Sequence, residues 1–219
     1  MKFFLRMLSV PLSGIYLFVS VAACSPTDIG KENEKLNDEA KLNAKKAVGL
    51  FRDLGSSTKR GVVLGTNGLS QELVDEYLVA AGFEPGELSV ETATEILQKL
   101  GDAQGVDFEN QIYALNLSAY TKEKLIEIKE TGFIEDLHIQ TEFKELSDSE
   151  KVVLLNSNNL VDEFNRAAQN GYIDVPCPGE ACTFSLVLLG AGIGAAICGP
   201  ACCVFGGVIG LIVGTSIKD

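Results

Sequence analysis

The chain has little of the chemistry that enzymes and nucleic-acid-binding proteins need. Its 219 residues include no tryptophan and one histidine, His138, whose position between Leu137 and Ile139 is typical of a packed or surface residue. A single histidine cannot supply the two Glu-x-x-His motifs of a di-iron site. Lys and Arg number 18 against 30 Asp and Glu, so no basic stripe is available for nucleic acid. We therefore expect no enzyme: no catalytic residue, no metal, no cofactor and no nucleic-acid partner.

The N-terminus, in contrast, carries a clear export pattern. Lys2 and Arg6 precede an apolar stretch from Met7 to Val21, which ends in two small residues and then Cys24. A basic start, an apolar centre and a small-residue cleavage site are typical of a signal peptide, which is removed and forms no part of the fold. We expect residues 1–23 to be this signal peptide.

The residues around the cleavage site resemble the lipobox of bacterial lipoproteins. The match is Val21-Ala22-Ala23-Cys24, and it implies acylation of the Cys24 thiol and of the new amino terminus. Stable anchoring takes two or more hydrophobic signals, which such a cysteine would supply. The resemblance therefore implies a lipid-anchored protein of the bacterial cell envelope, periplasmic or surface-exposed, with membrane lipid as a partner. The alternative is an ordinary signal peptide cleaved near Ala23.

An acidic helical domain is expected over residues 31–176. Before it, Pro26 and Gly30 argue against helix up to about Lys31, which makes 24–30 a short lipidated tether. A long helix is then predicted to end at Leu54-Gly55. Shorter helices follow, and hydroxyl residues suited to helix caps mark their starts. These caps are Ser70, Ser89, Thr121 and Ser147, the last in a capping box with Glu150. Residues 133–143 are ambiguous between helix and strand.

The C-terminal segment, residues 177–219, differs sharply in composition. No charged residue occurs in the 37 positions from Ala181 to Ile217, and eight of them are glycine. Glycines four residues apart share one helix face and allow another backbone to approach closely. The candidate helix-packing glycines are Gly190, Gly194, Gly206, Gly210 and Gly214.

Pro200 divides this apolar run into two halves. Each half is somewhat shorter than the roughly 20 residues that cross a bilayer as helix, and a single helix would have to absorb the proline. We expect a helical hairpin that turns at Gly199-Pro200 and enters or lines a membrane.

Five of the six cysteines lie in this segment. In an exported chain we expect pairing, and a zinc site fits the spacing less well. A hairpin would favour Cys177 with Cys182, and Cys198 with either neighbour at the turn. The disulfide candidates are Cys177, Cys182, Cys198, Cys202 and Cys203.

Two further resemblances concern the same segment. Its glycine strip behind a lipobox resembles glycine-zipper lipoproteins, which implies assembly at a membrane. Its cysteine-bearing apolar tail behind an acidic region resembles halocin-type bacteriocin precursors, in which the tail is membrane-active.

The predicted fold is mainly α, a short-helix bundle with an N-terminal lipid-anchored tether and a C-terminal glycine-rich hydrophobic hairpin. The first predicted role is structural, assembly or partner binding at the envelope, including homo-oligomer formation. The alternative is a bacteriocin or toxin precursor carried in residues 177–219.

Overall fold

The described part of the chain is helical and contains no strand, as the sequence predicts. The structure is a computed structural model that describes residues 26–53, 69–80, 83–102, 107–172 and 181–216. A 3-10 turn at Leu137–Ile139 lies among its α-helices. The helices are α1 Pro26–Asp53, α2 Gln71–Ala80, α3 Val90–Asp102, α4 Phe108–Ala114, α5 Ala119–Thr131, α6 Thr141–Lys144, α7 Asp148–Gln169, α8 Ala181–Cys198 and α9 Pro200–Ser216.

Hydroxyl caps begin three helices where the sequence places them. Ser70 Oγ accepts the amide of Leu73 at 3.2 Å at the start of α2, and Ser89 Oγ accepts the amide of Thr92 at 3.2 Å at the start of α3. Ser147 Oγ does the same for the amide of Glu150 at 3.3 Å at the start of α7. Each bond satisfies a backbone donor that the first helical turn leaves free.

Two predicted helix starts are wrong. Helix α1 begins at Pro26 and includes Gly30, so most of the expected tether is helical; a proline is tolerated in a first helical turn, where its missing amide would have no partner. Helix α5 begins at Ala119 with Ser118, and not Thr121, as its cap. Ser118 Oγ accepts the Thr121 amide at 3.2 Å and donates to the Thr121 hydroxyl oxygen at 2.9 Å. The Thr121 hydroxyl in turn donates to a carboxylate outside the helix. The ambiguous stretch 133–143 forms turns, the 3-10 turn and the start of α6.

The hairpin lies at the centre of the molecule. We use this name for α8 and α9, which turn at Gly199 with a φ of 83°. Every residue in 186–194 and 201–210 is buried. Helix α8 packs against α3, α4, α5 and α7, while α9 packs against α1, α2, α3 and α7. A helix that is apolar on all sides must be buried in a core or in lipid, and here it is buried in a core.

Helices α1 to α7 surround this hairpin, and we call them the shell. The segments that the sequence separates as 31–176 and 177–219 share one hydrophobic core, which contains both Leu78 of α2 and Ile209 of α9. Charged side chains lie on the exposed faces of the shell helices. The expectation that the hairpin forms is therefore met, but its apolar surface faces other helices of the same chain.

Candidate functional site

The two helices of the hairpin touch through glycine backbones. A Cβ atom on Gly190 would collide with the carbonyl oxygen of Gly206, and one on Gly206 would collide with that of Gly190. Gly194 meets the Cys202 carbonyl in the same way, and Gly210 meets that of Leu186. Four of the five predicted packing glycines thus form the seam between α8 and α9. The fifth, Gly214, lies in α9 beyond the residues whose packing is described.

A second pair of glycines faces the shell instead. A Cβ atom on Gly192 would lie 2.6 Å from Cδ1 of Leu115, and one on Gly207 would lie 2.6 Å from Cδ2 of Leu160. These nearest neighbours are the ends of flexible side chains, whereas Gly190 and Gly206 meet rigid backbone. A Cβ atom on Gly207 would also lie in ordinary contact with α8, 3.6 Å from Ala191 Cβ and 3.7 Å from the Val187 carbonyl oxygen. The hairpin therefore has an inner surface that admits only glycine and an outer surface that the shell contacts with adaptable side chains.

A disulfide closes the turn of the hairpin. Cys198 and Cys202 are bonded, with their Cα atoms 5.7 Å apart, so the structure selects one of the two partners that the sequence left open. The bond links the end of α8 to the first turn of α9 across Gly199-Pro200. Ala196 and Cys198 are exposed, so this end of the hairpin reaches the protein surface.

The thiol of Cys203 is enclosed between the hairpin and α7. It is free, fully buried and 3.8 Å from the carbonyl oxygen of Val153. Burial raises the pKa of this thiol to about 12, although Ser157 beside it favours the thiolate. A thiol with such a pKa is neutral at physiological pH and therefore unreactive while the hairpin is in place.

Two buried polar side chains of α7 are poorly paired. The hydroxyl of Ser157 faces the Cys203 thiol and has no other hydrogen-bond partner among the described residues. The Oδ1 atom of Asn156 is also buried without a partner, while its Nδ2 donates to the Val152 carbonyl at 2.9 Å. A buried polar atom without a partner costs about 1–3 kcal/mol. The unpartnered Oδ1 of Asn156 therefore lowers the stability of the packing around α7.

Two other buried amides of α7 bind groups outside the helix. Asn158 accepts the amide of Ile134 at 2.8 Å and donates to its carbonyl at 2.9 Å. Asn159 Nδ2 donates to Asn37 Oδ1 of α1 at 3.2 Å. Sequence reasoning missed these contacts, although the polar run 156–159 in the middle of an apolar helix was a visible signal.

Glu150 links the starts of two helices. Its Oε1 accepts the Ser118 amide at 2.8 Å and the Thr121 hydroxyl at 3.0 Å, and its Oε2 lies 3.2 Å from Ser147 Oγ. Burial opposes ionisation of this carboxyl, but the hydrogen bonds outweigh it and hold the pKa of Glu150 below its usual value. The predicted capping box is thus extended into a contact between α5 and α7.

Several predicted site residues lie outside the described structure. Cys24 and Cys177 are among them, and the side chain of Cys182 is not described, so lipidation and a Cys177–Cys182 bond stay predictions. His138 is partly buried beside a pocket of about 190 Å³, and its backbone carbonyl accepts Asn33 Nδ2 at 3.4 Å. Within the described ranges, no group of three His, Cys, Asp or Glu side chains is placed to hold a metal ion.

The helices of the described ranges do not individually combine the length and apolarity that a membrane crossing requires. Comparison of the chain with protein-family models, with curated proteins and with solved structures finds no match.

Proposed function

We propose that this chain is a lipid-anchored envelope protein whose shell stores a membrane-active hairpin. The observation that carries the proposal is the construction of the hairpin. Its two helices hold each other by backbone contact and a disulfide, and they have no polar face of their own. The shell surrounds them with helices whose outer faces are charged.

The two helices of the hairpin are bound to each other well enough to leave the shell together. Helices α8 and α9 contact each other more extensively than either contacts any helix of the shell. In water, glycines in a helix interior cost up to about 1 kcal/mol each relative to alanine. The close approach they allow is the packing mode of helices in lipid, where van der Waals contact drives association.

Transfer of the hairpin from the shell to lipid would exchange the apolar environment of a protein core for that of acyl chains. The outer surface of the hairpin would meet acyl chains in place of shell side chains, and the buried Ser157 hydroxyl of α7 would gain access to water. Helices of 18 and 17 residues are about 27 and 26 Å long, less than a hydrocarbon core of about 30 Å. We therefore propose shallow entry from one side, with both ends of the hairpin on that side.

The predicted lipid anchor would place the shell beside the membrane that the hairpin enters. Cys24 stands two residues before Pro26, where α1 begins, so acyl chains on Cys24 would hold the start of α1 close to a bilayer. In the Cys24→Ala variant we expect loss of fatty-acid labelling and a shift toward the aqueous phase in detergent partition. Unchanged labelling would remove the lipoprotein part of the proposal.

The membrane part is tested with neighbouring glycines. Gly207→Leu would push the shell away through Leu160, whereas Gly206→Leu would separate α8 from α9. We expect Gly207→Leu to release dye from phosphatidylcholine vesicles faster than wild type, and Gly206→Leu to release little. Uncharged vesicles are suitable because a chain of net charge −12 is repelled by anionic lipid.

A single tryptophan gives an independent readout, since the chain has none. Ala196 is exposed at the turn end of the hairpin, and Ala196→Trp should show blue-shifted fluorescence when vesicles are added. Equal dye release by the two glycine variants, or no fluorescence shift, would refute entry of an intact hairpin.

A structural role at the envelope is the second candidate, and the single shared core favours it. In that case the hairpin stays inside the shell permanently, and partners or further copies would bind the outer surface of the shell.

The bacteriocin form of the proposal predicts cleavage between the shell and the hairpin. The intact mass of the protein isolated from its membrane distinguishes an uncleaved chain from a released tail.

A further inference from the structure

Helix α1 meets the rest of the molecule through an unusual face. Among its described side chains, those of residues 30–49, the buried ones are spaced alternately by four and three residues, as along a coiled-coil seam. These seam residues are Asn33, Asn37, Ala40, Ala44 and Ala47. The seam therefore combines buried amides with side chains no larger than a methyl group.

The seam is made specific by amide contacts. Asn37 Oδ1 accepts Asn159 Nδ2 of α7 at 3.2 Å, and Asn33 Nδ2 donates to the His138 carbonyl at 3.4 Å. A buried asparagine in such a seam fixes the register of two helices while it reduces their affinity. These contacts hold α1 in one position, while the large apolar side chains among residues 30–49 that touch the core, Leu36 and Val48, are only partly buried.

The other shell helices are attached differently. Helix α2 buries Tyr77, whose ring meets that of Phe205 of the hairpin with centroids 6.2 Å apart. Helix α3 buries Ile96 and Leu100 completely, and α5 does the same with Leu125 and Ile128. Burial of large apolar side chains is the main source of stability in a helical bundle, so α1 is distinguished from these helices by what it buries.

Helix α1 also lies over the hairpin. Besides α7, its main contact, it packs against α9 and α2. Among residues 30–49 no large apolar side chain of α1 is fully buried, and an element with few such groups opens more readily than the core beneath it. If α1 moved away, this side of α9 would lose its cover while the other shell helices kept their places.

We infer that α1 is a strap that opens before the rest of the shell and thereby controls access of lipid to the hairpin. This role depends on the proposed membrane activity, but the separate opening of α1 does not. The strap closes when Asn37 meets Asn159, and its opening uncovers α9.

The first test locks the strap. In Asn37→Cys/Asn159→Cys the two thiols would replace side chains that touch, and a disulfide there would tie α1 to α7. The single variants Asn37→Cys and Asn159→Cys are the matched controls, and mass mapping verifies the bond. Hydrogen exchange and dye release from phosphatidylcholine vesicles are measured in parallel on the full chain.

We expect α1 amides of the wild type to exchange at least ten times faster than those of residues 186–210. The lock should bring α1 close to the rate of that segment and slow dye release at least tenfold, whereas both single variants should release dye at least as fast as wild type. Reductant should restore release in the locked protein, with wild type in the same reductant as reference.

A second pair of variants opens the strap instead. Ala44→Leu enlarges a buried seam residue, whereas Lys45→Leu places the same side chain on the exposed face next to it. We expect Ala44→Leu to accelerate both α1 exchange and dye release, and Lys45→Leu to change neither. This pair decides the matter if the cysteine lock does not form.

The outcomes separate the two proposals. Exchange of α1 at the same rate as residues 186–210 in the wild type would overturn the strap, whatever the vesicles show. Early opening of α1 with dye release unaffected by lock or seam variants would also overturn it and leave the membrane activity standing. If neither wild type nor Gly207→Leu releases dye, the membrane activity fails, and the order of exchange alone decides whether α1 opens separately.

Discussion

Replacing Gly206 by alanine is the sharpest test of the hairpin seam. The new Cβ atom would collide with the carbonyl oxygen of Gly190. Neither atom can move by rotation about a side-chain bond, so the two helices must separate along the seam. The contacts on both sides of Gly206, including the one between Gly210 and Leu186, would lengthen with it.

The size of the effect follows from two opposing terms. Overpacking costs about 1–3 kcal/mol, and a backbone neighbour places this site near the upper value. Alanine regains up to about 1 kcal/mol because it is a better helix former than glycine. A net loss of about 2 kcal/mol in the free energy of unfolding corresponds to a decrease in Tm of roughly 4–8 °C for a domain of this size.

The control is the same substitution where space is open. Gly101 in α3 has no neighbour within 4 Å of its ideal Cβ position, so Gly101→Ala should raise stability by about 0.5–1 kcal/mol through helix propensity alone. Thermal melts followed by far-UV circular dichroism compare both variants with wild type. An increase in Tm for Gly206→Ala similar to that of Gly101→Ala would show that the seam is not closely packed.

Three further predictions concern polar groups around the hairpin. Hydrogen bonds hold the pKa of Glu150 in the folded protein below its usual value of 4.5, so the stabilising effect of this carboxylate should be complete above pH 4.5 and disappear as the pH falls through the folded pKa. Denaturant melts across acidic pH should therefore show a weaker pH dependence of stability in Glu150→Gln than in wild type. An unchanged pH profile would contradict the role of these hydrogen bonds. Asn158→Ala leaves the backbone amide and carbonyl of Ile134 without these partners and should lower the free energy of unfolding by about 2–3 kcal/mol in a denaturant melt. Asn170→Ala at an exposed site is the control and should change the free energy of unfolding little. Similar losses of stability at both sites would count against the buried contact. Because burial raises the pKa of Cys203 to about 12, iodoacetamide should leave it unmodified in buffer and modify it only after the chain is unfolded in guanidinium, which peptide mapping would show. Rapid modification in buffer would disprove its enclosure.

Much of the helical architecture was predictable because helix starts depend on nearby residues. Ser70, Ser89 and Ser147 each bond an amide three positions away, so a short window of sequence contains the whole interaction. The prediction was wrong at Thr121, because two hydroxyl residues three positions apart compete for the same role. Glu150, far along the chain, gives the Thr121 hydroxyl a separate partner.

The position of the hairpin could not be predicted in the same way. Apolar residues on every side of a helix are equally suited to lipid and to the centre of a bundle. The glycine spacing correctly indicated a close helix contact, but not that Gly192 and Gly207 would face the shell. The amide contacts of Asn37 and Asn158 join residues 122 and 24 positions away, which no local pattern specifies.

The central position of the hairpin has a consequence for how the chain acquires its fold. In chain order the helices of the shell come first, and the hairpin that they surround comes after them. During synthesis, at roughly 5–20 residues per second, α1 to α7 would emerge without the core that they are built to cover. Their apolar faces would stay unsatisfied until α9 arrived, which favours chaperone binding and delays folding until α9 has been synthesised. The order of the helices thus keeps such a chain from folding until its central hairpin has been made.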